Sequence, residues 1–173
     1  SLAGVTIFPW ISRAQPNPAA KPGRTEPGLR VKNIVRTAVK VPYRTVPARN
    51  MARELPHWKY IEVFEVELAS GHVGFGETLL HYTYRSTQDE NVAFAKGKNA
   101  ATIMWDDDLG AGLQMALFDA VARAMDVPVH ALLGKQVNND TPVGWWDIDL
   151  PPEDVASEAR TAAANGYLAF KNK

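Results

Sequence analysis

The stretch from Thr141 to Lys173 most constrains the fold. A strand-like run, Thr141 to Leu150, ends in Pro151-Pro152-Glu153-Asp154, a proline and acidic signature of a helix start. Val155, Ala159, Ala162 and Ala163 supply a helical face, Gly166 a stop, and Tyr167 to Lys173 a second strand-like run. Strand, a helix of about a dozen residues and strand make a βαβ unit, and such a crossover forces its two strands to be parallel.

The chain before this unit follows a different pattern. Val31 to Val41 alternates, and Tyr60 to Ala69 alternates again. Ser70-Gly71 turns the chain into His72-Val-Gly-Phe-Gly-Glu77, a third short strand whose glycines permit close backbone approach. Pro42 to Lys59, broken by Pro42, Pro47 and Pro56 and carrying Arg44, Arg49 and Arg53, reads as a loop. Three strands joined in sequence predict an antiparallel meander. Helical signals follow over Asn91 to Thr102. Asp106-Asp107-Asp108 offers a cap and an anionic first turn to a helix from about Leu109, in which Leu113, Leu117, Ala120, Val121 and Ala124 share one face. Pro128 ends that run and opens a short helix through Leu133, closed by Gly134. The expected architecture is therefore α+β, a meander with helices, joined to the beginning of a parallel α/β domain.

The 19 Lys and Arg against 19 Asp and Glu leave no positive field for nucleic acid or an anionic membrane. With no cysteine, disulfides, thiolate metal sites and cysteine nucleophiles are excluded, and a metal must be held by oxygen or nitrogen. No apolar window is long enough to span a membrane. Residues 1–14, apolar through Ile11 and followed by Ser12-Arg13-Ala14, resemble the back half of a secretory signal. On that reading the mature protein starts near Gln15 and is exported to the periplasm; a buried N-terminal strand or a cloning boundary, in a cytoplasmic protein, is the alternative. Residues 15–30, with prolines at 16, 18, 22 and 27, read as an extended linker. The last strand runs to the final residue without a closing turn, which predicts that the gene continues past Lys173.

Chemistry concentrates in that last strand. A period of two puts Tyr167, Ala169, Lys171 and Lys173 on one face, the lysines about 7 Å apart. Facing into a barrel, each ammonium would lower the proton affinity of the other, and a lysine so perturbed serves as a general base. On an open edge both are solvated side chains. Position favours the first reading, because βα folds place active sites at the C-terminal ends of strands. By the same alternation Trp145 and Trp146 divide between the barrel interior and the helix layer. Asp106 to Asp108 fit capping better than metal binding. Glu77 fits a hydrogen-bonding role within the sheet. The histidines at 57, 72, 81 and 130 lack the spacing of metal ligands.

Five segments in order resemble the enolase superfamily, in its mandelate racemase and muconate lactonizing enzyme branch. They are Val73-Gly-Phe-Gly-Glu77, Leu113-Gln-Met-Ala-Leu-Phe-Asp119, Val127-Pro-Val-His-Ala-Leu-Leu-Gly134, Thr141-Pro-Val143, and Gly166 with Lys171-Asn-Lys173. The resemblance implies a capping domain over 31–140 and, over 141–173, the first two strands and first helix of a TIM-type (β/α) barrel. It implies that Lys171 and Lys173 form a Lys-x-Lys motif, with Lys173 removing the proton α to a substrate carboxylate and Lys171 depressing its pKa. The activity implied is that of an isomerase or lyase: a racemase or epimerase, a cycloisomerase, or an acid-sugar dehydratase. The superfamily pairs such a base with magnesium, which stabilises the developing ene-diolate. The Mg2+ ligands are expected downstream of residue 173, so the chain alone is expected to be inactive. The capping loops that close over substrate would contribute Arg44, Arg49, Arg53, His57, His81, Tyr82 and Arg85 to specificity. The implied partner is a small carboxylate, in a homo-oligomer when full length. Two departures stand out: Lys135 replaces a common second glycine after Leu132-Leu133-Gly134, and Asn172 points away from the lysine face. A non-catalytic, exported α+β binding module, or an inactive fragment, is the alternative from another class.

Overall fold

A computed structural model describes residues 27–80 and 86–172. The signal-like segment 1–14, residues 15–26 of the linker, and His81, Tyr82, Arg85 and Lys173 lie outside the described residues.

Three strands, β1 (Val31–Lys40), β2 (Tyr60–Leu68) and β3 (Val73–Leu79), form an antiparallel sheet in the order β1-β2-β3, with Val39 opposite Ile61 and Phe64 opposite Gly76. Phe64, Val66 and Leu68, at alternate positions of β2, are buried on the inner face. Helix α4 (Ala111–Ala124) lies against them and buries Leu113, Leu117 and Val121 completely or nearly so. Each such side chain contributes about 1.5–3 kcal/mol by leaving water. The helix can come this close because β3 presents glycines. A Cβ on Gly74 would lie 2.1 Å from the Ala120 nitrogen, and one on Gly76 would lie 2.1 Å from the Gly112 oxygen.

Several local expectations are corrected. Pro42 to Lys59 is not a loop: helix α1 spans Thr45–Glu54, and a 3-10 turn spans Pro56–Lys59. Pro47 falls in the first turn of α1, where a helical N–H has no internal partner to lose, and Pro42 and Pro56 lie outside it. Pro47 and Met51, one turn apart, are its buried apolar positions. The linker ends earlier than expected, because Pro27–Leu29 form a 3-10 turn tied to Ser70, and Leu29 packs on the core. Asn91 to Thr102 divides into α2 (Asp89–Ala95) and α3 (Ala100–Ile103). Gly97 stands between them at φ 78°, and the Asn99 side chain accepts from the Ala101 N–H. Asp106 caps a separate 3-10 turn, Asp107–Leu109, and α4 begins only after Gly110. Helix α5 (Val129–Leu133) follows Pro128 and closes at Gly134.

The last segment is a strand, helix and strand: β4 (Trp145–Asp147), α6 (Pro152–Ala164) and β5 (Phe170–Asn172). The two strands pair in parallel, with Trp145 opposite Phe170, Trp146 opposite Lys171 and Asp147 opposite Asn172. Both are shorter than their sequence patterns. Strand β4 stops where the Asp147 carboxylate accepts from the Ile148 N–H and Asp149 turns at φ 49°. Strand β5 starts late because the N–H groups of Gly166 and Tyr167 bond back to Ala163 and Ala162 to close α6.

Candidate active site

Strand register and one hydrogen bond orient the lysine strand. Trp145 Nε1 donates to Glu158 Oε2 on α6 at 2.9 Å, so Trp145, and with it Asp147, faces the crossover helix. Trp146 and its register partner Lys171 therefore face away from α6. On that face the Trp146 ring stacks with Trp58 from the Pro56–Lys59 turn, with centroids 6.5 Å apart and planes 22° apart. One indole meets the helix and the other meets the antiparallel unit. Lys171 is exposed.

A charged junction lies on the opposite side of β4. Asp147 is fully buried and Glu158 nearly so. Arg44, immediately before α1, reaches both: Nη1 donates to Glu158 Oε2 at 2.7 Å, and Nη2 stands 3.6 Å from Asp147 Oδ2. The Arg44 guanidinium also lies 3.9 Å over the Trp145 ring. Arg49 pairs with Asp154 and Arg53 with Asp149. Three arginines on or beside one helix thus bond to one segment, residues 147–158, and hold α1 against the βαβ unit. Two polar atoms buried in this region, Asn50 Nδ2 and Asp147 Oδ2, have no hydrogen-bond partner among the described residues.

The carboxyls respond differently. Burial raises the Asp147 pKa, the neighbouring Glu158 charge adds to the rise, and the Ile148 N–H and Arg44 oppose it. At Glu158 burial pushes upward, but hydrogen bonds from Arg44 and Trp145 and the guanidinium charge outweigh it and hold the pKa low. The Asp149 carboxylate is held low by its hydrogen bond from Arg53.

Of the expected specificity residues, Arg44, Arg49 and Arg53 come together along α1 with their guanidiniums in these ion pairs. His57 is partly buried beside Trp58 on the 3-10 turn. Glu77 is exposed on β3, where its charge adds to the burial that raises the Tyr43 pKa. Asp106 accepts from the Asp108 N–H and Asp107 from Gln114, so the acidic triplet is used in capping and helix entry. His72 bonds Ser70, and His130 is exposed. Asp147, Glu158, Trp58 and Asn50 were not anticipated from the sequence. Glu158 had a signal, since it lies on the same face of α6 as Val155 and Ala162, where a lone acid requires a cation. Among the described residues no three His, Asp or Glu side chains gather to hold a metal, and no helix is long and apolar enough to cross a membrane.

Solved structures share this fold. The chain is similar to 2-chloromuconate cycloisomerase from Rhodococcus opacus 1CP, at 21% identity and a TM-score of 0.63 over 83% of this chain and 43% of that one. Dipeptide epimerase from Methylococcus capsulatus, solved with a Mg ion, matches at 19% identity and a TM-score of 0.62 over 83% of this chain and 44% of its own. Muconate lactonizing enzyme from Pseudomonas putida matches at 20% identity and a TM-score of 0.59, with 83% and 43% covered. The likeness is one of fold: a three-stranded antiparallel sheet with helices, followed by a parallel strand–helix–strand unit. This is the α+β unit expected from the meander and its helices, and the chain spans less than half the length of these enzymes. No protein-family model and no curated protein sequence matches it.

Proposed function

We propose that this chain carries the cap, residues 31–140, and the first two strands and first helix of the barrel, residues 141–173, of an enzyme that abstracts the proton α to a substrate carboxylate. The observation that carries the reading is the parallel register of β4 and β5. It puts Lys171 on the face turned from the crossover helix, beside an indole that contacts the cap. In a (β/α) barrel the face opposite the helices is the interior, and the C-terminal strand ends carry the chemistry. Lys173, two residues on in the sequence, is assigned the base; Lys171 neutralises the substrate carboxylate. Similarity to a cycloisomerase and a dipeptide epimerase supports this reaction class.

Among the described residues no three His, Asp or Glu side chains group to hold a divalent cation. What these residues do is position. The arginine junction fixes α1 on β4 and α6, and the Trp58–Trp146 contact fixes the cap on the lysine face. Arg44, Arg49 and Arg53 thereby act through the position of α1 and not on substrate, and His57, His81, Tyr82 and Arg85 are assigned to specificity. The test is solvent deuterium incorporation at the α-carbon of carboxylate substrates by the protein expressed from the whole gene, with magnesium present. Lys173→Ala is expected to abolish exchange. Exchange persisting at the wild-type rate removes Lys173 from the chemistry, and its absence from the wild-type protein across a broad substrate panel favours a binding module.

A further inference from the structure

Two buried carboxyls of the α1 junction meet each other. Asp147 and Glu158 lie within hydrogen-bond reach, and two carboxyls can bond in that way only when one of them carries a proton. The surrounding bonds say which one. Glu158 Oε2 accepts from Arg44 Nη1 at 2.7 Å and from Trp145 Nε1 at 2.9 Å, so Glu158 is furnished as the anion. Asp147 Oδ1 accepts from the Ile148 N–H, but Oδ2 is buried with no donor. Arg44 Nη2 stands too far from it at 3.6 Å, and Asn50 Nδ2, the other unpartnered atom, does not reach it. An ionised Asp147 leaves that oxygen a buried acceptor without a hydrogen bond; a protonated Asp147 turns it into a donor to Glu158. Burial, and after it the Glu158 charge, push the Asp147 pKa in the same direction. The other charges around the pair are otherwise engaged. Arg49 on α1 bonds Asp154 of α6, and Arg53 bonds Asp149 and Glu54. Glu153 and Arg160 of α6 are exposed, and Lys171 on the adjacent strand faces the other way.

We propose that Asp147 and Glu158 form a proton-binding site in which one proton, held on Asp147 Oδ2 and donated to Glu158, completes a neutral cluster with Arg44 that clamps α1 to the βαβ unit. Loss of that proton to solvent leaves a net negative charge buried at the junction and breaks the bond between the carboxyls. The clamp therefore tightens in acid and loosens as pH rises. It is independent of the lysine chemistry proposed above. The side-chain carboxyl carbons and indole N–H groups of the 13C,15N-labelled 173-residue chain are followed by NMR as a function of pH, with amide hydrogen exchange of α1 measured alongside.

Asp147 is expected to titrate above the ordinary aspartate range, and the Glu158 carboxyl and the Trp145 indole to shift with the same midpoint, since one accepts the shared proton and the other bonds to that acceptor. Protection factors of the Arg49 to Glu54 amides should fall about tenfold through that midpoint, the worth of one buried hydrogen bond. Asp147→Asn, whose amide donates where the protonated carboxyl did, should abolish the step and keep α1 protected throughout. Glu158→Gln should move the Asp147 midpoint down toward the ordinary range, because the like charge that retains the proton is gone. An Asp147 midpoint in the ordinary carboxylate range, as for an anion served by a buried water, overturns the proposal. So does a midpoint unmoved by Glu158→Gln, which assigns the rise to burial alone, or α1 protection that falls with pH in Asp147→Asn as it does in wild type. Should Glu158→Gln fail to fold, the wild-type resonances decide, and no response of Glu158 and Trp145 at the Asp147 midpoint refutes the shared proton.

Discussion

Replacing Arg44 with methionine tests the junction that holds helix α1 to the βαβ unit. Methionine keeps an unbranched apolar stem against Trp145 and removes the charge. What it leaves behind sets the cost. Glu158, with 8% of its side chain exposed, loses its 2.7 Å ion pair, and fully buried Asp147 loses its nearest cation. Breaking one partner out of a buried pair costs about 3–5 kcal/mol. Arg44 keeps 43% of its side chain exposed, so solvent already screens part of that interaction. Asp147 can also relieve the loss by taking a proton, since burial has raised its pKa. The expected destabilisation is about 2 kcal/mol, a fall in Tm of roughly 4–8 °C for a chain of this size. The assay is thermal and urea unfolding followed by circular dichroism, with a double-mutant cycle against Glu158→Gln expected to give a coupling of about 1 kcal/mol. A shift in Tm within about 1 °C of wild type together with zero coupling would refute the argument, because the guanidinium would then compensate no buried charge.

Three other outcomes follow from the packing and the charges. Gly76→Ala drives a methyl into the α4 backbone, with the Gly112 oxygen at 2.1 Å and the Ala116 nitrogen at 2.6 Å. It should cost roughly 3 kcal/mol or more, and a near-wild-type melting curve would show that helix and sheet are not in such close contact. Burial raises the Asp147 pKa in the folded state, so the folded chain keeps a proton that the unfolded chain has released. That contribution is complete below the ordinary carboxylate pKa and is lost as pH rises through the raised folded value. Asp147→Asn should therefore match wild type in acid and exceed it at neutral pH; parallel stability curves across that range would contradict the sign. Titration calorimetry of the 173-residue chain with MgCl2 should show no saturable one-to-one site, since no three candidate ligands meet among the described residues. A stoichiometric site would place the ligands within this chain.

Periodicity made the sheet and α4 legible. The alternation of β2 marks Phe64, Val66 and Leu68 as one face, and Leu113, Leu117 and Val121 recur at helical spacing. The strand–helix–strand unit was legible for the same reason, and parallel pairing followed from the crossover. Helix α1 was hidden because three prolines mask a short helix whose buried stripe, Pro47, Asn50 and Met51, is hardly more apolar than a loop. Strand lengths were overstated because local hydrogen bonds at Asp147, Gly166 and Tyr167 compete with the ladder, and an apolar run records no such competition.

The linear order of residues determined most element types, the hand-over from antiparallel to parallel pairing, and the placing of Lys171 in the last strand. These depend on spacing within ten or so residues, which the covalent chain alone sets. Tertiary structure alone decided where the charges go. Arg44 and Glu158 are separated by 114 positions, as are the partners of no local motif, and only folding brings α1 onto α6 so that arginines free to meet substrate in the sequence are committed to the protein's own carboxylates. The same closure puts Trp58 against Trp146 and leaves an indole beside Lys171. Desolvation and charge pairing are properties of three-dimensional proximity, and no one-dimensional pattern encodes them.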